Sequence, residues 1–191
     1  AGGIGARSDR RVDRWRVEGP EQNFLRFVEL PAAGAHGVDG YARLVVTSRA
    51  VGQGGGRPEI AIRQFDAQAS GEVIAGFGEG WHEEEYAPET GLRWRWTSER
   101  SVLQVRGPDA PIRVSLRGES PLKYFDEPPL VTLKAGGRVI ARTRPAADFE
   151  WSVVVPSDAW RASDGAVSIE VDRVYLPGPA EGTGDLRHLG L

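Results

Sequence analysis

Alternation with a period of two, broken at short intervals by glycine, proline and aspartate, constrains this chain more than any other feature. It recurs at 24–30 (FLRFVEL), 42–47 (ARLVVT), 59–65 (EIAIRQF), 92–96 (LRWRW), 102–105 (VLQV) and 112–117 (IRVSLR). It returns at 131–134 (VTLK), 139–142 (VIAR), 149–155 (FEWSVVV) and 167–171 (VSIEV). Successive side chains on an extended chain point to opposite faces, so each run predicts a strand with one apolar and one polar face. The 25 glycines and 13 prolines fall between these runs, the punctuation of a sandwich or barrel. Long helical periodicity is missing; only 157–162 (SDAWRA), after Pro156, predicts a short helical turn.

An internal repeat refines this reading. NFLRFVELPAAGAHGVDGYARLVV (23–46) aligns without a gap on DFEWSVVVPSDAWRASDGAVSIEV (148–171). Phe24 matches Phe149, Val28 matches Val153, Pro31 matches Pro156, Asp39-Gly40 matches Asp164-Gly165, and Val46 matches Val171. Every pair lies 125 positions apart (149 − 24). The expected fold is all-β: two tandem antiparallel β-sandwiches of jelly-roll or galactose-binding-like type, related by the repeat. The first sandwich is expected over 1–78 and incomplete at its start. The second is expected over 79–191 and short of its last strand, with RHLGL (187–191) opening another.

Charge and composition exclude some functions. A net charge of −3 gives no basic field for nucleic acid. The basic residues are almost all arginine, with only Lys123 and Lys134 as lysines. Cysteine is absent, which excludes disulfides and thiolate metal sites. No apolar run reaches the roughly 18 residues of a membrane span, and Ala1–Gly5 has no signal-peptide core. The lack of methionine, including at position 1, reads as a processed product or a piece of something longer.

The densest chemistry lies in GWHEEEYAPETGLRWRWTSER, 80–100. His82-Glu83-Glu84-Glu85 offers imidazole and carboxylates, but neighbours on an extended chain diverge, and HExxH and DxDxDG spacings are absent. The plain reading is an acidic loop without a metal. Glu83, Glu84, Glu85, Glu89 and Glu99 crowd the region, and glycoside hydrolysis needs two carboxyls at a set separation, one raised in pKa. GxSxG is absent, and the glycine tracts 2–5 and 52–56 precede no helical pattern, so they read as loops and not phosphate cradles.

In a strand, Trp94 and Trp96 share one face and Arg93 and Arg95 the other. The plainer outcome buries both indoles; the functional one leaves aromatic faces to stack on sugar rings while arginine and glutamate bond the hydroxyls. Trp81 and Tyr86, in the preceding loop, are the better candidates for exposure. A second long loop, 118–129, carries Leu122, Tyr124 and Phe125, either to bind or to plug the sandwich end.

The stretches GWHEEEYAPETGLRWRWTSERSVLQV, RGESPLKYFDEPPLVTLKAG, DFEWSVVVP and DLRHLGL together resemble a soluble region of bacterial multi-pass glycosyltransferases. Those enzymes are similar to the family 39 protein mannosyltransferases, which use polyprenyl-phosphate sugars. The resemblance covers most of 20–191. It implies an extracytoplasmic, periplasmic or cell-surface setting beside a membrane-embedded catalytic core, with a glycan or lipid-linked sugar nearby. The family's catalytic acids lie in that core and match no position here, so no catalytic residue carries over; no metal or cofactor is expected from the spacings above.

Three functions follow as expectations. The first is a non-catalytic accessory region that binds or orients a glycan or partner through Trp81, His82, Glu84, Tyr86, Arg93, Arg95 and Tyr124. The second is a structural module packing on its own membrane domain or a neighbouring chain. The third is a glycoside-active enzyme using two clustered glutamates, such as Glu84 and Glu99.

Overall fold

A computed structural model describes residues 13–17, 24–30, 44–50 and 58–191. Two compact units divide the chain, Ala1–Phe65 and Asp66–Leu191.

In the first unit the described residues carry neither strand nor helix. The indole of Trp15 lies 5.6 Å from the ring of Phe24, and the Arg26 guanidinium sits 5.7 Å from the Trp15 ring. Strand propensity depends on burial of one face of the run. Here Val45, Ile62 and Phe65 are all exposed. The two segments expected to form a repeat differ among the described residues, since 149–155 and 166–171 are strands while 24–30 and 44–46 are not. The connector of the first copy, 31–43, lies outside the described residues.

The second unit is all-β and antiparallel. Its strands are β1 (Ile74–Phe77), β2 (Trp81–Ala87), β3 (Leu92–Thr97), β4 (Arg100–Arg106), β5 (Ile112–Gly118), β6 (Val131–Ala135), β7 (Arg138–Thr143), β8 (Phe149–Val155) and β9 (Ala166–Val171). Two short helices, α1 (Ser157–Ala162) and α2 (Pro177–Glu181), and a 3-10 turn at Pro121–Lys123 complete it. Five strands form one sheet in the order β1-β4-β9-β6-β7, and β2-β3 and β5-β8 form two-stranded sheets. Because β1 pairs with β4, this unit begins ahead of the boundary expected at 78/79.

The β5-β8 pair covers the five-stranded sheet, giving a sandwich-like core. From the sheet come Val131, Leu133 and Ala135 of β6, and Val167, Ile169 and Val171 of β9. They meet Ile112 and Val114 of β5 and Val153 and Val155 of β8. These are the alternate positions that the period-two runs predict, and burying each large side chain contributes about 1.5–3 kcal/mol. Trp160 of α1 closes one end, its Nε1–H donating to the Ala110 carbonyl at 3.1 Å. The buried Ser101 hydroxyl donates to the Gly80 carbonyl at 2.7 Å and accepts from the Ser98 N–H at 3.1 Å, which offsets its desolvation.

The turns follow local chemistry. Gly136 and Gly137, both at positive φ, make the two-residue hairpin loop between β6 and β7, a geometry that favours glycine. Asp164 and Gly165, with φ of 51° and 83°, turn the chain from the end of α1 into β9, the Gly165 N–H donating to the Trp160 carbonyl at 2.8 Å. No helix among the described residues is long and apolar enough to cross a membrane.

Candidate functional site

The span 81–87, expected as a loop, is a strand. β2 pairs with β3 with Glu84 opposite Arg95, Glu85 opposite Trp94 and Tyr86 opposite Arg93, and a bulge falls between Trp81 and Glu84. The acidic run hides the strand, because three consecutive glutamates show no apolar alternation. Pairing puts Glu84, Tyr86, Arg93 and Arg95 on one face of the hairpin and Glu85, Trp94 and Trp96 on the other.

On the first face the charged and aromatic side chains form a ladder. The Arg93 guanidinium stacks 4.6 Å from the Tyr86 ring centroid and donates through Nη1 to Glu84 Oε1 at 2.6 Å. Glu84 Oε2 faces Arg95 Nη2 at 3.8 Å. Arg95 stacks 4.8 Å from the ring of Phe77 in β1 and donates to the His82 carbonyl at 3.2 Å. Phe77 meets Trp81 edge to face at 4.9 Å. The ladder thus runs from Tyr86 through Arg93, Glu84 and Arg95 to Phe77. Tyr86 is 49% exposed and Phe77 41%.

Trp81 corrects the expectation of an exposed indole. It packs against the core, and its Nε1–H donates to the Val102 carbonyl at 3.0 Å. Trp81 is a framework residue here.

His82 belongs to a second constellation that sequence reasoning did not assemble. Its Nε2–H donates to the His188 carbonyl at 2.9 Å. The segment 185–191 is strapped across the hairpin. Arg187 reaches Glu85 Oε1 at 2.7 Å and Asp185 Oδ2 at 2.7 Å. His188 donates through Nδ1 to Glu99. Thr97 closes the strap. Its N–H donates to the Leu191 carbonyl at 2.7 Å, and its carbonyl accepts from Gly190 at 2.7 Å. Its Oγ1 accepts from the Leu191 N–H at 2.8 Å. The Arg187 guanidinium holds the Asp185 carboxyl down to about 2. The hydrogen bond from His188 likewise lowers Glu99.

Tyr124, the last expected site residue, is elsewhere. It packs edge to face on Trp96 at 5.2 Å and lies 5.0 Å from Tyr175, on the hairpin face opposite the ladder. Trp94 and Trp96 are half-buried, neither in the central core nor open to water. In the 118–129 loop Leu122 is exposed while Tyr124 and Phe125 are half-buried, so Leu122 plugs nothing.

The expected seven residues thus separate into a ladder (Glu84, Tyr86, Arg93, Arg95), a framework and strap pair (Trp81, His82), and Tyr124 on the other face. Sequence reasoning missed Phe77, which it assigned to the first sandwich, and Asp185, Arg187 and His188. Among the described residues, no group of three or more His, Asp or Glu is placed to hold a metal ion. No family model matches the chain, and no characterised protein or solved structure matches it.

Proposed function

We propose that the chain is a non-catalytic accessory module that binds or orients a glycan through the exposed face of the β2-β3 hairpin. The observation that carries this reading is the Tyr86–Arg93–Glu84 arrangement, an aromatic ring beside a polar pair on a solvent-facing sheet. Aromatic rings pack on the C–H faces of sugars while guanidinium groups bond their oxygens.

The carboxylates support a non-catalytic role. A glycosidase acid needs its pKa raised, whereas Glu99 is lowered by His188. Glu84 and Glu85 are each ion-paired to arginine. The resemblance to the soluble region of family 39-like glycosyltransferases supports the setting. In this reading the module is extracytoplasmic, sits beside a membrane glycosyltransferase core, and meets a carbohydrate or lipid-linked sugar. Its two-sandwich organisation and repeat are part of the same proposal.

Titration with a panel of neutral and acidic oligosaccharides, followed by tryptophan fluorescence and by amide NMR, tests it. Saturable binding near the millimolar range is expected, because shallow sugar sites gain little from desolvating hydroxyls. Tyr86→Ala should weaken binding by about two- to tenfold, the worth of one aromatic contact. No saturable response across the panel, or a Tyr86→Ala protein binding like wild type, would refute the reading.

A second reading, a structural module docking on a membrane domain or neighbouring chain, draws on the other hairpin face. There the 50%-exposed Leu92 lies in line with the half-buried Trp94 and Trp96. Leu92→Glu would abolish such docking in a cross-linking assay while leaving glycan binding intact.

A further inference from the structure

We infer that the ligand of the hairpin face carries an oxyanion, so that the site selects acidic sugars over neutral ones. The inference rests on the proposed glycan-binding role and names the class of glycan.

Glu84 is the one carboxylate of the ladder, and both oxygens already face guanidinium groups, Oε1 toward Arg93 and Oε2 toward Arg95. The charge of that carboxylate is therefore balanced by the two guanidiniums. Arg95 has 17% of its side chain exposed and is committed to the His82 carbonyl, Glu84 and the Phe77 ring. Arg93 has 61% of its side chain exposed. Only its Nη1 is used, by Glu84, and its other N–H groups have no partner among the described residues.

A guanidinium offers five donors in a planar fork and accepts nothing. The ladder holds two guanidiniums against one carboxylate, and the donors it leaves open to solvent are those of Arg93. The complementary ligand supplies acceptors and negative charge. A carboxylate fits the fork with two parallel hydrogen bonds, and a phosphate oxygen pair does likewise. Stacking on Tyr86 fixes the plane of the fork, so the open donors are held in a defined direction. The part of the Tyr86 ring that Arg93 does not cover stays open, the residue being 49% exposed, and supplies apolar surface next to the fork.

The test compares trigalacturonate with its fully methyl-esterified form, which keeps the sugars and removes the charge. Galactose 6-phosphate forms a third arm. Binding is measured by amide NMR at about 20 mM and about 200 mM NaCl. The acid trimer is expected to bind about five- to tenfold more tightly than the ester at low salt, with the gap narrowing at high salt. Arg93→Gln should erase that preference, and Arg93→Lys should retain part of it. Binding of galactose 6-phosphate, lost in Arg93→Gln, would support the inference with phosphate as the oxyanion. Equal affinity for acid and ester, with both weakened by Tyr86→Ala, would overturn the inference and leave glycan binding standing. Absence of binding by all three probes, alongside a silent wider panel, would overturn both.

Discussion

Gly190 provides a sharp test of how the strap is closed. A Cβ built at this position would lie 2.5 Å from Thr97 Oγ1, 2.8 Å from the Ser98 carbonyl oxygen and 2.8 Å from Val171 Cγ2. Two of those neighbours cannot retreat cheaply. The Ser98 oxygen is backbone, and Thr97 is only 3% exposed and already hydrogen-bonded to the strap. Gly190→Ala therefore either strains the contact, at about 1–3 kcal/mol, or frees the end of the strap. Freeing it gives up three hydrogen bonds to Thr97, worth about 1 kcal/mol each.

The two routes place the loss at about 1–3 kcal/mol. For a unit of this size that is a drop of roughly 3–12 °C in melting temperature. Gly184→Ala is the control, since nothing lies within 4 Å of its added methyl. Thermal unfolding followed by near-ultraviolet circular dichroism reads the midpoint. Hydrogen exchange at Thr97 and Leu191 reads whether the strap has opened. A Gly190→Ala protein melting within about 2 °C of wild type, with Thr97 still protected, would refute close packing at Gly190.

Two further expectations rest on the core and on the strap's charges. Leu133, fully buried between the sheets, should lose about 2–5 kcal/mol on Leu133→Ala, measured by urea unfolding; a loss below about 1 kcal/mol would contradict its central position. Asp185, held at about 2 by Arg187, has a depressed folded-state pKa. Its contribution to stability is therefore full above the ordinary value of 3.8 and fades as pH falls toward about 2. Carbon-13 titration of its carboxyl should move back toward 3.8 in Arg187→Ala; an unchanged titration would show that another group sets it.

The strands of the second unit were legible from alternation alone. The runs at 92–96, 102–105, 112–117, 131–134, 139–142, 149–155 and 167–171 all fall on β3 to β9, and α1 occupies the expected turn. Such strands announce themselves because one face is buried, so selection of apolar residues follows the pleat. β2 was illegible for the converse reason. It lies in a two-stranded sheet, carries a bulge, and its Glu83 and Glu84 face solvent. β1 is four residues long and its pattern IAGF is too short to read. The runs at 24–30 and 59–65 show the limit of the signal, since they alternate yet carry no strand.

Half of the candidate site could be read from one hairpin, because Glu84, Tyr86, Arg93 and Arg95 are close in sequence and share strand parity. The rest could not. Phe77 joins the ladder from β1, and Arg187 and His188 reach Glu85 and Glu99 from the far end of the chain. Those meetings depend on strand order, which local pattern does not encode.

The order β1-β4-β9-β6-β7 also sets a schedule for synthesis. β9 is the last of these five strands to be made, yet it sits in the middle, pairing with β4 on one side and β6 on the other. Before it emerges from the ribosome, the β1-β4 pair and the β6-β7 hairpin each present an open inner edge lined with apolar side chains. Non-local pairing of this kind is slow, and waiting edges invite other chains. Folding of the sheet is thus gated by its own keystone strand, and the nascent chain up to residue 165 is the form most in need of shelter.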